Sequence, residues 1–162
     1  MDLLGKCLLV KVFVVYDTKY GNTKLAAENI VDGLGEGEGL ETAISDVKEV
    51  DLGKVAEYDA ILIGTPNHIG SPTRIIKKFI DKLGKLDTKA KWIAVFDTNL
   101  GGSQLEKATK KMEKRINEKI PGSKLILPGL SIKVEGMKGP IEDRELLKCK
   151  EFGEKIANQL KT

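Results

Sequence analysis

Residues 8–23 read "LLVKVFVVYDTKYGNT", a mostly apolar run that passes through Tyr16 into Asp17, Thr18, Lys19, Tyr20, Gly21, Asn22 and Thr23. The β-branched run from residue 7 to 16 has the character of a strand buried on both faces. Small hydrogen-bonding residues crowd its exit. Leu25, Ala26, Ala27, Ile30, Val31 and Leu34 then recur at helical spacing until "GEGEG" breaks the pattern. The order is strand, loop, helix. The loop itself fits two descriptions. Asn22 or Thr23 caps the helix after a glycine turn, or the loop cradles an anion against the unpaired N–H groups and dipole of the helix start.

The same unit recurs along the chain. "LETAISDV" is a weaker, alternating strand that suits a sheet edge. "DAILIGT" is a buried strand, followed by the loop "PNHIGSP" and a helix with Ile75, Ile76, Phe79, Ile80 and Leu83 on one stripe. "KWIAVFDT" repeats the pattern, with loop "NLGGS" and a helix using Leu105, Ala108, Met112 and Ile116. "KLILPGLSIKV" reads as a last strand interrupted or bent at Pro128-Gly129, because proline removes a ladder donor and glycine weakens a strand interior. Leu146, Cys149, Phe152, Ile156 and Leu160 give the closing helix its buried face. The alternation predicts an α/β fold over residues 1–162: one domain, with a doubly wound, five-stranded parallel sheet and helices on both faces. In such sheets ligands bind outside the carboxyl ends of the strands, at the switch point in strand order. The loops "DTKYGNT", "TPNHIGSPT" and "DTNLGGS" all lie at carboxyl ends and are expected to share one rim.

Composition excludes several classes. With 27 basic and 24 acidic residues among 162, the net charge of +3 gives no support for nucleic acid as a partner. Cys7 and Cys149 stand far apart with one histidine in the chain, so neither a metal site nor a disulfide framework is read, and a reducing cytoplasm is the expected compartment. Both cysteines fall in apolar patterns that suit buried thiols. The N-terminal stretch carries Asp2, Lys6 and Lys11 and reads as structure rather than a signal peptide or membrane span. The first loop lacks the Gly-Lys-Ser/Thr end of a Walker P-loop and the dinucleotide fingerprint. A phosphoacceptor receiver domain needs an aspartate at the end of the third strand, where this chain has Gly64, Thr65 and Pro66.

"VVYDTKYGNTKLAAENI" resembles the phosphate-binding loop of the flavodoxin family, with Thr18, Gly21, Asn22 and Thr23 matching its pattern and Tyr20 in place of the middle threonine. "ILIGTPNHIGSPTRIIKKFIDKL" is similar to the family's second flavin loop and to the flavodoxin-like domains of flavo-diiron proteins. The resemblance implies strand order 2-1-3-4-5 and FMN as cofactor. Its phosphate would lie on Thr18, Lys19, Tyr20, Gly21, Asn22 and Thr23, and its ring between Thr65, Pro66, Asn67, His68, Ile69 and Gly70 on one side and Asp97, Thr98, Asn99, Gly101 and Gly102 on the other. It also implies a peptide in loop two that reorients with flavin redox state, for which Gly70 supplies backbone freedom. His68 is the loop-two candidate to lie near the ring and make its potential pH-dependent, or else it is a solvated loop histidine. Loop three carries no aromatic residue, and Trp92, at the start of its strand, is expected in the core rather than at the flavin. On this resemblance the protein is a monomeric or weakly dimeric electron carrier serving a reductase and an acceptor, its balanced charge departing from the acidic faces of bacterial flavodoxins. An FMN-dependent NAD(P)H:quinone or flavin reductase, and a flavodoxin-like binding module without FMN, are the alternatives.

Overall fold

The computed structural model describes residues 9–35, 39–88 and 90–161; Cys7 and the start of the first expected strand lie outside the described residues. Strand β1 (Val10–Tyr16) leads into α1 (Asn22–Leu34), then β2 (Leu40–Asp46), the short α2 (Leu52–Val55) and β3 (Ala60–Pro66). α3 (Arg74–Gly84), β4 (Trp92–Asn99), α4 (Lys107–Lys119), β5 (Lys124–Leu125), β6 (Leu130–Lys133) and α5 (Asp143–Lys161) complete the order. The strands form one parallel sheet in the order β2-β1-β3-β4-β5, as expected, and β6 adds a further parallel pairing to β4 beyond β5.

The period of two explains the burial on both faces. Val12, Val14, Leu62, Ala94 and Phe96 face α1 and α5, while Phe13, Val15, Ile61, Ile63, Ile93 and Val95 face α3 and α4. Among the described residues β2 pairs with β1 alone, and its alternating, half-exposed sequence fits that edge position. The expected interruption at Pro128-Gly129 separates β5 from β6. Pro128 has no N–H to give to a ladder, and a side chain on Gly129 would run into the Val95 side chain.

Close approach elsewhere depends on missing side chains. α1 and α5 touch backbone to backbone at Gly33 and Gly153, where any Cβ would collide with the main chain of the facing helix. Two expectations about the core change. Leu105 is exposed and precedes α4, because Gly102–Gln104 form a 3-10 turn and Glu106 adopts a left-handed conformation (φ 66) before the helix starts. Leu25, on the outer side of α1, is also exposed. Trp92 is half-buried at the start of β4, packed on the α1/α5 core with Lys124 Nζ 5.6 Å from its ring centre.

Candidate functional site

The first loop ends at Gly21, whose φ of 91 is a left-handed conformation that glycine adopts at little cost. The Gly21 N–H donates to Thr18 Oγ1 at 3.0 Å, closing the loop on itself. The first intrahelical bond of α1 runs from the Leu25 N–H to the Gly21 carbonyl. The N–H groups of Asn22, Thr23 and Lys24 therefore have no acceptor inside the helix, and no side-chain cap is made at this helix start among the described residues. The N-cap position of α1 is Gly21, so neither Asn22 nor Thr23 serves as its cap. The Thr23 hydroxyl is instead paired with Thr98 Oγ1 at 2.9 Å, tying the start of α1 to the end of β4.

Loop two is a tight hairpin. His68 donates its N–H to the Ser71 carbonyl at 2.7 Å and accepts the Ser71 N–H at 3.1 Å, with Ile69 (φ 52) and Gly70 (φ 77) between them. Positive φ at both central residues is the signature of a type I′ turn, which favours Asn-Gly and disfavours a β-branched residue at the first position. Asn67 braces the hairpin. Its N–H reaches the Thr98 carbonyl, its Nδ2 the Gln104 carbonyl, and its Oδ1 accepts from the Gly70 N–H.

Loop three is organised from beneath by Asp97, which is fully buried. Its Oδ1 accepts from Asn99 Nδ2 and Ser131 Oγ, both at 2.8 Å, and its Oδ2 accepts the Thr109 N–H at 3.0 Å. Thr109 lies in the first turn of α4, so this carboxylate on β4 caps a helix that has no cap of its own. Asn99 passes the order outward by accepting the Gly101 N–H at 2.7 Å. Burial pushes the Asp97 carboxyl above its ordinary pKa, against the opposing effect of these hydrogen bonds.

The three loops enclose a cavity of about 790 Å³. Thr18, Lys19, Tyr20, Asn22 and Thr23 line it from loop one, Pro66, Asn67, His68 and Ile69 from loop two, and Thr98 and Asn99 from loop three. Other expected site residues stand behind the wall. Asp97 acts as just described. Thr65 is buried, donating to the Pro66 carbonyl and accepting the Thr73 N–H. Gly21, Gly70, Gly101 and Gly102 shape the loop backbones at positive φ.

Residues that sequence reasoning did not select also line the cavity. They are Asp17, Lys48 after β2, Thr73 at the cap of α3, Leu100 and Gln104, and the segment after β6 represented by Val134, Gly136 and Met137. The last of these carried a usable signal, since it too follows the carboxyl end of a strand. Thr73 Oγ1 and Gln104 Oε1 are shielded from solvent without a partner among the described residues.

A family model described as "Flavodoxin domain" matches residues 13–129. The chain belongs to the flavodoxin family. A flavodoxin from Clostridium saccharobutylicum is 26% identical over 94% of this chain and 98% of its own length. A flavodoxin from Aquifex aeolicus is 34% identical over 49% of this chain, a segment that spans 45% of that relative. Among solved structures, a flavodoxin from the domain Archaea has a TM-score of 0.77 at 25% identity, covering 94% of this chain and 99% of that one. The flavodiiron core of Synechocystis matches in fold, with a TM-score of 0.74 at 20% identity, and the chain spans 37% of that structure. This flavodoxin chain is an electron-transfer protein of a flavin-binding family. No helix among its described residues is long and apolar enough to cross a membrane.

Proposed function

We propose that the cavity binds FMN and that the protein carries electrons between a reductase and an acceptor protein. The observation that carries this reading is the uncapped start of α1, whose free N–H groups adjoin the same cavity that loops two and three enclose. The volume lies within the range of ligand sites, roughly 300–1,000 Å³. The residues fit the group. Asn22, Thr23 and Lys24 present main-chain donors to a phosphate, with the Thr18 hydroxyl and the Lys19 ammonium beside them.

Bound FMN supplies reversible electron transfer; the chain supplies binding, orientation and electrostatics. The Thr23–Thr98 hydroxyl pair fixes the spacing between the phosphate loop and loop three. The Asn67 side chain holds the loop-two hairpin against the segment ending at Gln104, so the two walls that flank the ring keep their separation. Loop three has no aromatic side chain; the apolar side chains of Tyr20, Ile69, Leu100 and Met137 line the cavity while keeping much of their surface exposed at its mouth. No group of three or more His, Cys, Asp or Glu side chains positioned to hold a metal ion occurs among the described residues.

The test is an absorbance and fluorescence titration with FMN, using riboflavin as the phosphate-free control. Tight FMN binding with riboflavin at least about tenfold weaker is expected, since charge-assisted hydrogen bonds each contribute roughly 1.5–3 kcal/mol. Equal affinity for the two would remove the phosphate cradle, and the absence of binding would remove the function. NADPH oxidation in the presence of a quinone separates a carrier from a reductase.

A further inference from the structure

Six lysines ring the mouth of the cavity without a carboxylate partner. Lys19, Lys48, Lys107, Lys111, Lys133 and Lys138 are all exposed, and none of them enters an ion pair among the described residues. They come from separate parts of the chain. Lys19 and Lys138 place their ammonium groups 5.4 and 6.0 Å from the Tyr20 ring centre, on the loop-one side. Lys111 donates to Ser71 Oγ at 2.9 Å, and the stem of Lys107 packs beside Gly70, so both stand at the loop-two hairpin. The Lys133 stem covers Gly101 in loop three, and Lys48 lines the cavity itself. Against them, Asp17 is the one carboxylate among the described lining residues, and it is buried.

Between the lysines stand exposed apolar side chains. Tyr20, Ile69, Leu100 and Met137 all line the cavity, and all are exposed although they are large and hydrophobic. An apolar centre with a charged margin is the anatomy of a protein interface. The apolar groups sit on loop tips around a concave mouth, not along one helix face as a membrane-surface helix requires. A single aromatic, Tyr20, provides no succession of stacking platforms for single-stranded nucleic acid.

We propose that this mouth docks a redox protein whose own surface is acidic around its redox centre. The proposal rests on the reading that the cavity holds a flavin, because the mouth is then where an electron leaves: one electron passes from reduced flavin to the partner's oxidised centre, with no bond made or broken between the proteins. The unpaired ammonium groups attract and orient carboxylates on approach, and the apolar tips make the contact.

The experiment is an NMR titration of the isotope-labelled protein, with and without FMN, using the acidic haem protein cytochrome b5 as probe and the basic cytochrome c as control. The expected result is binding of the acidic probe alone, with shifted amides confined to residues 18–20, 67–71, 100–107 and 133–138. Affinity should fall on the order of tenfold between about 20 mM and about 200 mM salt, as the Debye length shrinks. The quadruple variant K107E/K111E/K133E/K138E should lose the acidic probe and gain the basic one, while its FMN titration reports separately on the cofactor reading. No binding of the acidic probe at low salt, binding that maps to the outer face of α5, or equal affinity for both probes overturns the proposal. Tighter binding of single-stranded DNA or anionic vesicles to the same amides overturns it in favour of those partners.

Discussion

Ile69 occupies the first central position of a type I′ turn with φ 52 and is 88% exposed. A left-handed conformation costs an L-residue roughly 1–2 kcal/mol, and a β-branched side chain stands at the unfavourable end. Almost no buried area is lost when this side chain is replaced, so the backbone preference decides the sign. Ile69→Asn creates the Asn-Gly pair that type I′ turns favour and should stabilise the protein without FMN by about 1 kcal/mol. Ile69→Gly removes the same strain but adds freedom to the unfolded chain, worth about 0.4–1 kcal/mol, and should gain less. Ile69→Val keeps the β-branch and should change little. Urea denaturation reads the series directly. With a slope of about 1–3 kcal/mol per molar, the Asn variant moves the midpoint upward by about 0.3–1 M. A midpoint for Asn at or below that of Val would show that the turn carries no such strain.

Other outcomes follow from particular contacts. Thr23→Val keeps shape but removes the buried hydroxyl pair with Thr98; it should cost about 1–3 kcal/mol of stability and weaken FMN more than riboflavin in the same titration. Gly153→Ala sets helix preference, about 1 kcal/mol in favour, against collision with the α1 backbone at Ile30. Overpacking of this kind costs about 1–3 kcal/mol or more, so calorimetry should show a lower melting temperature, and a higher one would mean that α1 and α5 are not in backbone contact. Asp81 is held below its ordinary pKa of 3.8 by hydrogen bonds from Arg115 at 2.8 and 2.7 Å. A lowered folded pKa stabilises above the unfolded value and is lost as pH falls through the folded one. Asp81→Asn should therefore cost about 1 kcal/mol at neutral pH and almost nothing at pH values below the folded pKa, compared by denaturation at each pH. Burial, followed by the neighbouring Glu145 charge, pushes the Cys149 thiol up to about 12; mass-mapped alkylation at pH 8 should leave Cys149 unmodified until the chain unfolds.

The parallel sheet was legible because strands buried on both faces read as unbroken apolar runs, and β1, β3 and β4 each end in a loop of small polar residues. The edge position of β2 and the break before β6 were legible for equally local reasons, alternation in one case and Pro128-Gly129 in the other. Loop one could be recognised from its hydroxyls and glycine, but the role of the Thr23 hydroxyl could not, because its partner, Thr98, is 75 positions away. Asp97 shows the same limit: its sequence context is a polar loop after a strand, and only the packing of α4 and β6 over β4 turns it into a buried helix cap.

By itself, then, the sequence determined the elements, their alternation and the loops that meet at one rim, because hydrophobic period and turn chemistry are properties of neighbours along the chain. Tertiary structure alone decided which polar atoms were consumed internally and which were left facing the cavity. It also gathered lysines from positions 19 to 138 around one mouth. Hydrogen-bond partners and surface fields depend on distance in space, and a parallel fold brings together residues that the chain keeps far apart.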